Sequence, residues 1–187
     1  MKNVGKFEKV SFDQFMNDID KYAEDQLRYL IKEDPDFIRY TIYDKIILPS
    51  RSTKGSAGYD FFMPFSDIRI FPGESIVIPT GIKVSILNEW YLKLCPKSGL
   101  SFKFPLRLVD TVAIIDADYY NNSNNEGHII AKITNESKTK LCRLDQGDKY
   151  IQGIFCEYGI VCGDNADGIR NGGFGSTSET GYRRYHY

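Results

Sequence analysis

No apolar run in this chain approaches the roughly 20 residues needed to cross a bilayer, and the opening stretch MKNVGKFEKV holds no signal-peptide core. The expected location is therefore the cytoplasm, or the host cytoplasm for a viral gene, with no membrane partner. An excess of one charge is lacking too. Lys and Arg number 24 against 25 Asp and Glu, for a net charge of −1, so no general basic field points to nucleic acid. Cysteine is sparse: Cys95, Cys142, Cys156 and Cys162 form no CxxC pair and have no His at metal-ligand spacing. Buried free thiols are the expectation. The two histidines, His128 and His186, are expected in solvent rather than on a metal. The chain also lacks an internal repeat and a second helical pattern long enough for βαβ crossovers, which argues against a parallel α/β sheet.

What is present fits one domain with a real core, 187 residues with 42% hydrophobic and 26% charged. The one strongly helical segment runs from residue 11 to about 32. Ser11 with Gln14 reads as a capping box. Phe12, Phe15, Met16, Ile19, Tyr22, Ala23, Leu27, Leu30 and Ile31 form an apolar stripe. Asp18, Asp20, Lys21, Glu24, Asp25 and Arg28 are assigned to the opposite face, and Pro35 to the stop. From Phe37 the period becomes two. FIRYTIYDKIIL, FSDIRIF, ESIVIP, IKVSIL, WYLKLC, RLVDTVAII, HIIAKIT, KLCRL and YIQGIFCEY all read as strands. The expected class is all-β, as a sandwich, barrel or jelly roll. The expected organisation is a helical extension at 1–36, a β core at 37–162 and a mobile Gly-rich arm at 163–187.

Chemistry is expected around Val109–Tyr120, VDTVAIIDADYY. Strand alternation would point Asp116 and Asp118 one way and Tyr119 the other. A carboxylate at a strand rim can orient a water, and an aromatic ring beside it can stack on a flat ligand. The next stretch, NNSNNE at 121–126, reads as an exposed loop. Three further stretches, KGSAGYDFF (54–62), PKSGLSFK (96–103) and RNGGFGSTS (170–178), combine glycine with hydroxyls or cations. Such turns suit a polyphosphate. GGFGST is not a P-loop, since it lacks the GK[ST] ending.

Taken in order, GSAGYD (55–60), PKSGLS (96–101), AIIDADYY (113–120), GDKYIQGI (147–154) and RNGGFGSTS (170–178) resemble the five motifs of the trimeric deoxyuridine triphosphatases (dUTPases). The similarity covers roughly residues 38–178. It implies a dUTPase-like jelly roll (β-clip type) assembled as a homotrimer, with dUTP as substrate and active sites shared between subunits. By resemblance, Asp116 is the catalytic residue that orients the water, and Tyr119 is the ring beneath the deoxyribose that excludes ribonucleotides. Backbone atoms of the hairpin leading into Asp116, from Asp110 to Ile115, would read the uracil. Lys97, Ser98, Gly99 and Gln152 would surround the phosphates and the water. Asp60 would hold waters of a Mg²⁺ ion on the triphosphate. Arg170, Phe174, Gly175, Ser176 and Thr177 would close over the nucleotide.

The chain departs from the family pattern at Asp110, often Asn or Gly there, and at Ala113, usually Gly. Lys97 stands where arginine is commoner. Tyr120–Glu126 separate Tyr119 from Gly127, and the fifth motif is one residue shorter between Arg170 and Phe174. Two other functions compete with this one. A dCTP deaminase of the same fold would need a glutamate where this chain has Lys132. A non-catalytic regulator with this fold would act through its N-terminal helix.

Overall fold

The computed structural model describes residues 2–22 and 35–170. Among these residues eleven strands carry the fold: β1 Gly5–Lys9, β2 Tyr59–Phe62, β3 Ile68–Ile70, β4 Ser75–Pro79, β5 Ile82–Ile86, β6 Trp90–Pro96, β7 Leu106–Leu108, β8 Ala113–Ile115, β9 Ile130–Asn135, β10 Cys142–Leu144 and β11 Lys149–Glu157. Three α-helices are found among the described residues: α1 Phe12–Tyr22, α2 Pro35–Asp44 and the short α3 Ser98–Lys103. The strands form four sheets, ordered β1-β5, β10-β3, β2-β11-β6-β8 and β4-β9-β7, and every pairing is antiparallel.

The alternation read from the sequence is the one the sheets bury. In β5 the pattern runs buried at Ile82, Val84 and Ile86 with Lys83 and Ser85 between, and β3 buries Ile68 and Ile70 around Arg69. Inward residues of all four sheets meet in one core with Phe61, Met63, Phe65, Ile76, Ile78, Leu92 and Ile133. Burial of that many large apolar side chains, each worth about 1.5–3 kcal/mol, is the main stabilising term.

Four expectations are corrected. FIRYTIYD is helix α2, not strand. Its β-branched and aromatic residues favour strands in isolation. Here Pro35 takes the first helical position, where its missing N–H is no loss. Phe12 then stacks on Tyr40 at 4.1 Å and meets Tyr43 edge-on at 5.5 Å, so α1–α2 packing overrides propensity. The long helix to about residue 32 is described only as far as Tyr22, and residues 23–34 lie outside the described residues.

Secondly, the first residues are not set apart from the β core. β1 pairs with β5 from Gly5↔Ile86 to Lys9↔Ile82, and Phe15 and Ile19 of α1 are fully buried in the common core. The boundary expected at residue 36 falls inside α2.

Thirdly, RLVDTVAII is two strands in different sheets. The turn between them includes Thr111 at φ 62° and hydrogen bonds from Thr111 N to Leu108 O and from Val112 N to Asp110 O. β7 pairs with β9 and β8 with β6, so the segment leading into Asp116 is a corner between sheets and not a hairpin. Fourthly, Asp18 lies on the buried face of α1. It sits three residues from Phe15 and four from Tyr22, within the apolar stripe itself.

Candidate active site

β8 is the outer strand of its sheet, paired on one side with β6. Among the described residues its other edge has no strand partner, so backbone N–H and C=O groups face outward there. Past Ile115 the chain turns into a 3₁₀ helix, Ala117–Tyr119, with Asp116 at its N-cap in extended conformation. Strand alternation therefore does not continue beyond Asp116, and the expected facing of Asp116, Asp118 and Tyr119 is replaced by helical geometry. Both carboxylates meet one cation: Arg170 Nη2 donates to Asp116 Oδ2 at 2.6 Å and its Nε to Asp118 Oδ1 at 2.8 Å. The Arg170 guanidinium also lies 6.0 Å from the centre of the Tyr119 ring.

A cavity of about 230 Å³ opens here, lined by Asp110, Ala113, Ile115, Asp116, Tyr119 and Arg170 among others. One wall is apolar and backbone-rich, the other carries carboxylate, ring and guanidinium. Tyr119 is buried, its hydroxyl donating to the backbone oxygen of His128 at 2.9 Å. Burial pushes its hydroxyl pKa up, against a smaller opposing effect of the Asn125 hydrogen bond.

The floor beneath Tyr119 corrects two expectations. NNSNNE is not a free loop: Asn122 and Asn125 are buried. Asn122 Oδ1 accepts from the backbone N–H of Asn124 and Asn125, and its amide donates to Tyr119 O. Gly127, at φ +77°, closes the turn where a Cβ would lie 2.5 Å from Tyr119 O. His128 is fully buried rather than solvated. Its Nε2 accepts from Gly81 N at 2.7 Å, so the ring proton sits on Nδ1 and is donated to Asp18 Oδ2 at 2.6 Å. The Ser11 half of the capping box is present, with Gln14 N donating to Ser11 Oγ at 3.1 Å. Ser11 N, however, donates to Glu126 Oε2 instead of to Gln14, and the Gln14 amide donates to Asp18.

A second cluster forms around Asp60 on β2. Asp60 is buried and accepts from Lys97 Nζ at 2.5 Å and Ser52 Oγ at 2.7 Å, with Lys149 Nζ 3.0 Å away. Burial alone would push this carboxyl up. The Lys97, Ser52 and Lys149 hydrogen bonds outweigh it and hold the pKa below the ordinary value. Gln152 lies opposite Asp60 on β11. Its side chain packs against Gly58, where a Cβ would stand 2.5 Å from Oε1. Ser98 and Gly99 are exposed at the start of α3. Ser52 and Lys149 are not among the sequence candidates. Lys149 lies in GDKYIQGI, two residues from Ile151 and so on the same strand face but for the β-bulge between them.

One chain does not bring these clusters together. β2 and β8 are the two outer strands of one four-stranded sheet. Along β6 Asp60 is level with Cys95, and Asp116 with Tyr91. At about 4.8 Å between strands and 3.3 Å per residue, the aspartates are on the order of 20 Å apart. Phe174, Gly175, Ser176 and Thr177 lie outside the described residues.

An antiparallel jelly-roll chain with a carboxylate-and-tyrosine cavity at one sheet edge and a lysine-clamped carboxylate at the other defines the class, an all-β protein with a ligand-sized cavity. The dUTPase family model matches residues 44–177. The chain is 37% identical over 134 residues to the deoxyuridine 5'-triphosphate nucleotidohydrolase of Lactococcus lactis subsp. lactis (strain IL1403), covering 71% of this chain and 88% of that one. It is 34% identical over 137 residues to that of Finegoldia magna, covering 70% and 90%. The crystal structure of dUTPase from Streptococcus mutans superposes with a TM-score of 0.60 at 29% identity, covering 84% of this chain and 98% of that one. The chain belongs to the dUTPase family.

Proposed function

We propose that the protein is a dUTP diphosphatase, hydrolysing dUTP to dUMP and pyrophosphate. The observation that carries the reading is the cavity that joins the outer β8 edge to Asp116, Tyr119 and Arg170. The β8 backbone offers donors and acceptors for a flat pyrimidine edge, Tyr119 supplies a ring for the sugar, and Asp116 stands where the chain leaves the strand. Asp116 accepts a hydrogen bond from the attacking water and orients it in line with the scissile phosphoanhydride. Arg170, already held by Asp116 and Asp118, is a long-armed cation that a triphosphate competes for. Lys97, Lys149 and backbone amides around Ser98 and Gly99 spread positive charge over the phosphates.

The separation of the two clusters supports a homotrimer with shared sites. At about 20 Å from Asp116, Lys97 cannot reach the phosphates of a nucleotide whose reacting phosphorus lies at that carboxylate. A neighbouring subunit can supply the missing half. Exposed apolar side chains at Phe71, Leu87, Ile160 and Val161 suit burial between subunits.

Magnesium fits as an ion carried by the triphosphate. Among the described residues no group of three or more His, Cys, Asp or Glu could cage a metal, and both Asp60 oxygens already have partners. Mg²⁺ keeps most of its waters and needs one or two carboxylates beside the phosphates. Asp60 offers no free oxygen to the ion's waters, since Lys97, Ser52 and Lys149 occupy both; carried on the triphosphate, the ion would neutralise phosphate charge. A dUTPase from phage phi11 of S. aureus has a structural Mg(II) ion. Deamination has less support: Lys132 is exposed on β9 and is not part of the cavity wall. Incubation with dUTP and Mg²⁺ should release dUMP and pyrophosphate in equal amounts. Release of inorganic phosphate or dUDP would sink the reading, and a monomer on sizing chromatography would remove the shared site.

A further inference from the structure

The Asn-rich stretch between Tyr119 and Gly127 is built into the site floor. Asn125 Nδ2 donates to the Tyr119 hydroxyl at 2.7 Å and to His128 O at 3.3 Å. Its Oδ1 accepts from Asn122 Nδ2 at 2.8 Å and from Gly127 N at 3.1 Å. Every polar atom of that side chain is engaged, and the residue is buried. The Tyr119 hydroxyl in turn donates to His128 O. His128 is pinned by Gly81 N on one ring nitrogen and by Asp18 of α1 on the other. Glu126 ties the far end of the insertion to Ser11 and to Lys83 of β5.

We propose that Asn125 is a positioning residue for sugar selection, fixing how far the Tyr119 ring projects into the cavity. The inference rests on the proposed role of Tyr119 beneath the deoxyribose. A ring held only at Cβ can tilt, whereas one tethered at its hydroxyl by two buried hydrogen bonds cannot without breaking them. Discrimination against a 2′-hydroxyl depends on that rigidity, because a ring that retreats makes room for the extra oxygen. The Asp18–His128 pair makes α1 the anchor of the tether, so the N-terminal helix serves the site from behind.

The test compares kcat/KM for dUTP and UTP in four full-length chains: unaltered, Asn125→Ala, Tyr119→Phe and the double variant. Loss of the Asn125 bond should lower the dUTP:UTP ratio about five- to tenfold in Asn125→Ala, and Tyr119→Phe, which also loses the bond to His128 O, should lower it at least as far. The double variant should fall no further than Tyr119→Phe, because with the hydroxyl gone Asn125 has no tether left to remove. Tyr119→Phe keeps the ring and the Asn125 bonds to Asn122 and Gly127, so it reports the hydroxyl tether as a whole if Asn125→Ala does not fold. An unchanged ratio in the single variants, or equal loss for both nucleotides, overturns the positioning role. If the unaltered protein turns over UTP as well as dUTP, it is the Tyr119 reading itself that fails.

Discussion

Asp60 and Asp116 sit on the two outer strands of one sheet, or just beyond, and their surroundings are opposite. Asp60 is 1% exposed and compensated by two lysines and a serine hydroxyl. The Asp116 side chain is 44% exposed and shares one arginine with Asp118. A carboxylate whose lone pairs are filled by neighbours holds structure and charge in place. One that faces a cavity with a single exchangeable partner is available to a water. The resemblance of the motifs alone would rank both as site residues; the geometry separates their work.

That contrast can be broken experimentally. Truncation after Asp164 removes Arg170 and everything beyond it while leaving β11 intact, and should abolish dUTP turnover without lowering Tm by more than a few degrees. An active truncated enzyme would show that the cation side of the cavity is dispensable. Asp116→Asn should lower kcat by about 10²- to 10⁴-fold, the usual scale for a lost general base, while dUTP still binds in calorimetry. Turnover near that of the unaltered enzyme would end the role given to Asp116.

Asp60→Asn should act chiefly on stability, by about 2 kcal/mol in denaturant unfolding. The figure is below that for splitting a fully buried pair because both lysines reach water. The sign with pH follows from the lowered pKa of Asp60. Its ionised form is favoured in the folded state, so its contribution is present above the unfolded carboxylate pKa of about 3.9. It is lost as pH falls through the lower folded value. Glu126, held down against the opposing effect of burial by Ser11 and Lys83, adds to the same acid limb. The Asp60→Asn variant should therefore lose less stability than the unaltered protein between pH 5 and about 3; parallel curves would contradict this. Asp118→Asn should be the mildest change. It removes one exposed ion pair worth about 0–1 kcal/mol, and turnover should stay within about tenfold. A collapse as large as that of Asp116→Asn would mean the two carboxylates act as a unit.

The sequence made most strands from Ile68 to Glu157 legible because alternation between core and solvent is a direct record of sheet faces, but it ran β7 and β8 together across the corner at Thr111. It misread α2 as a strand, because tertiary stacking of Phe12 on Tyr40 decides against local preference. Asp116, Tyr119 and Asp110 were found by motif, and all three line the cavity. The floor was hidden for a different reason. Asparagines and a histidine read as solvent-loving residue by residue, and only the long-range pairing of His128 with Asp18, 110 positions apart, shows them buried. Composition cannot report a hydrogen bond whose partner lies in another element. Asp18 did carry a signal, since its spacing from Phe15 and Tyr22 puts it on the apolar face.

The most direct test of the central claim is a panel of dUTP, UTP, dTTP and dCTP assayed for pyrophosphate release by the purified chain with Mg²⁺. A cavity that combines the β8 edge, the Tyr119 ring and the Asp116 carboxylate predicts kcat/KM for dUTP above each of the others by at least about two orders of magnitude. Comparable rates across the panel, or no pyrophosphate from dUTP, would contradict it.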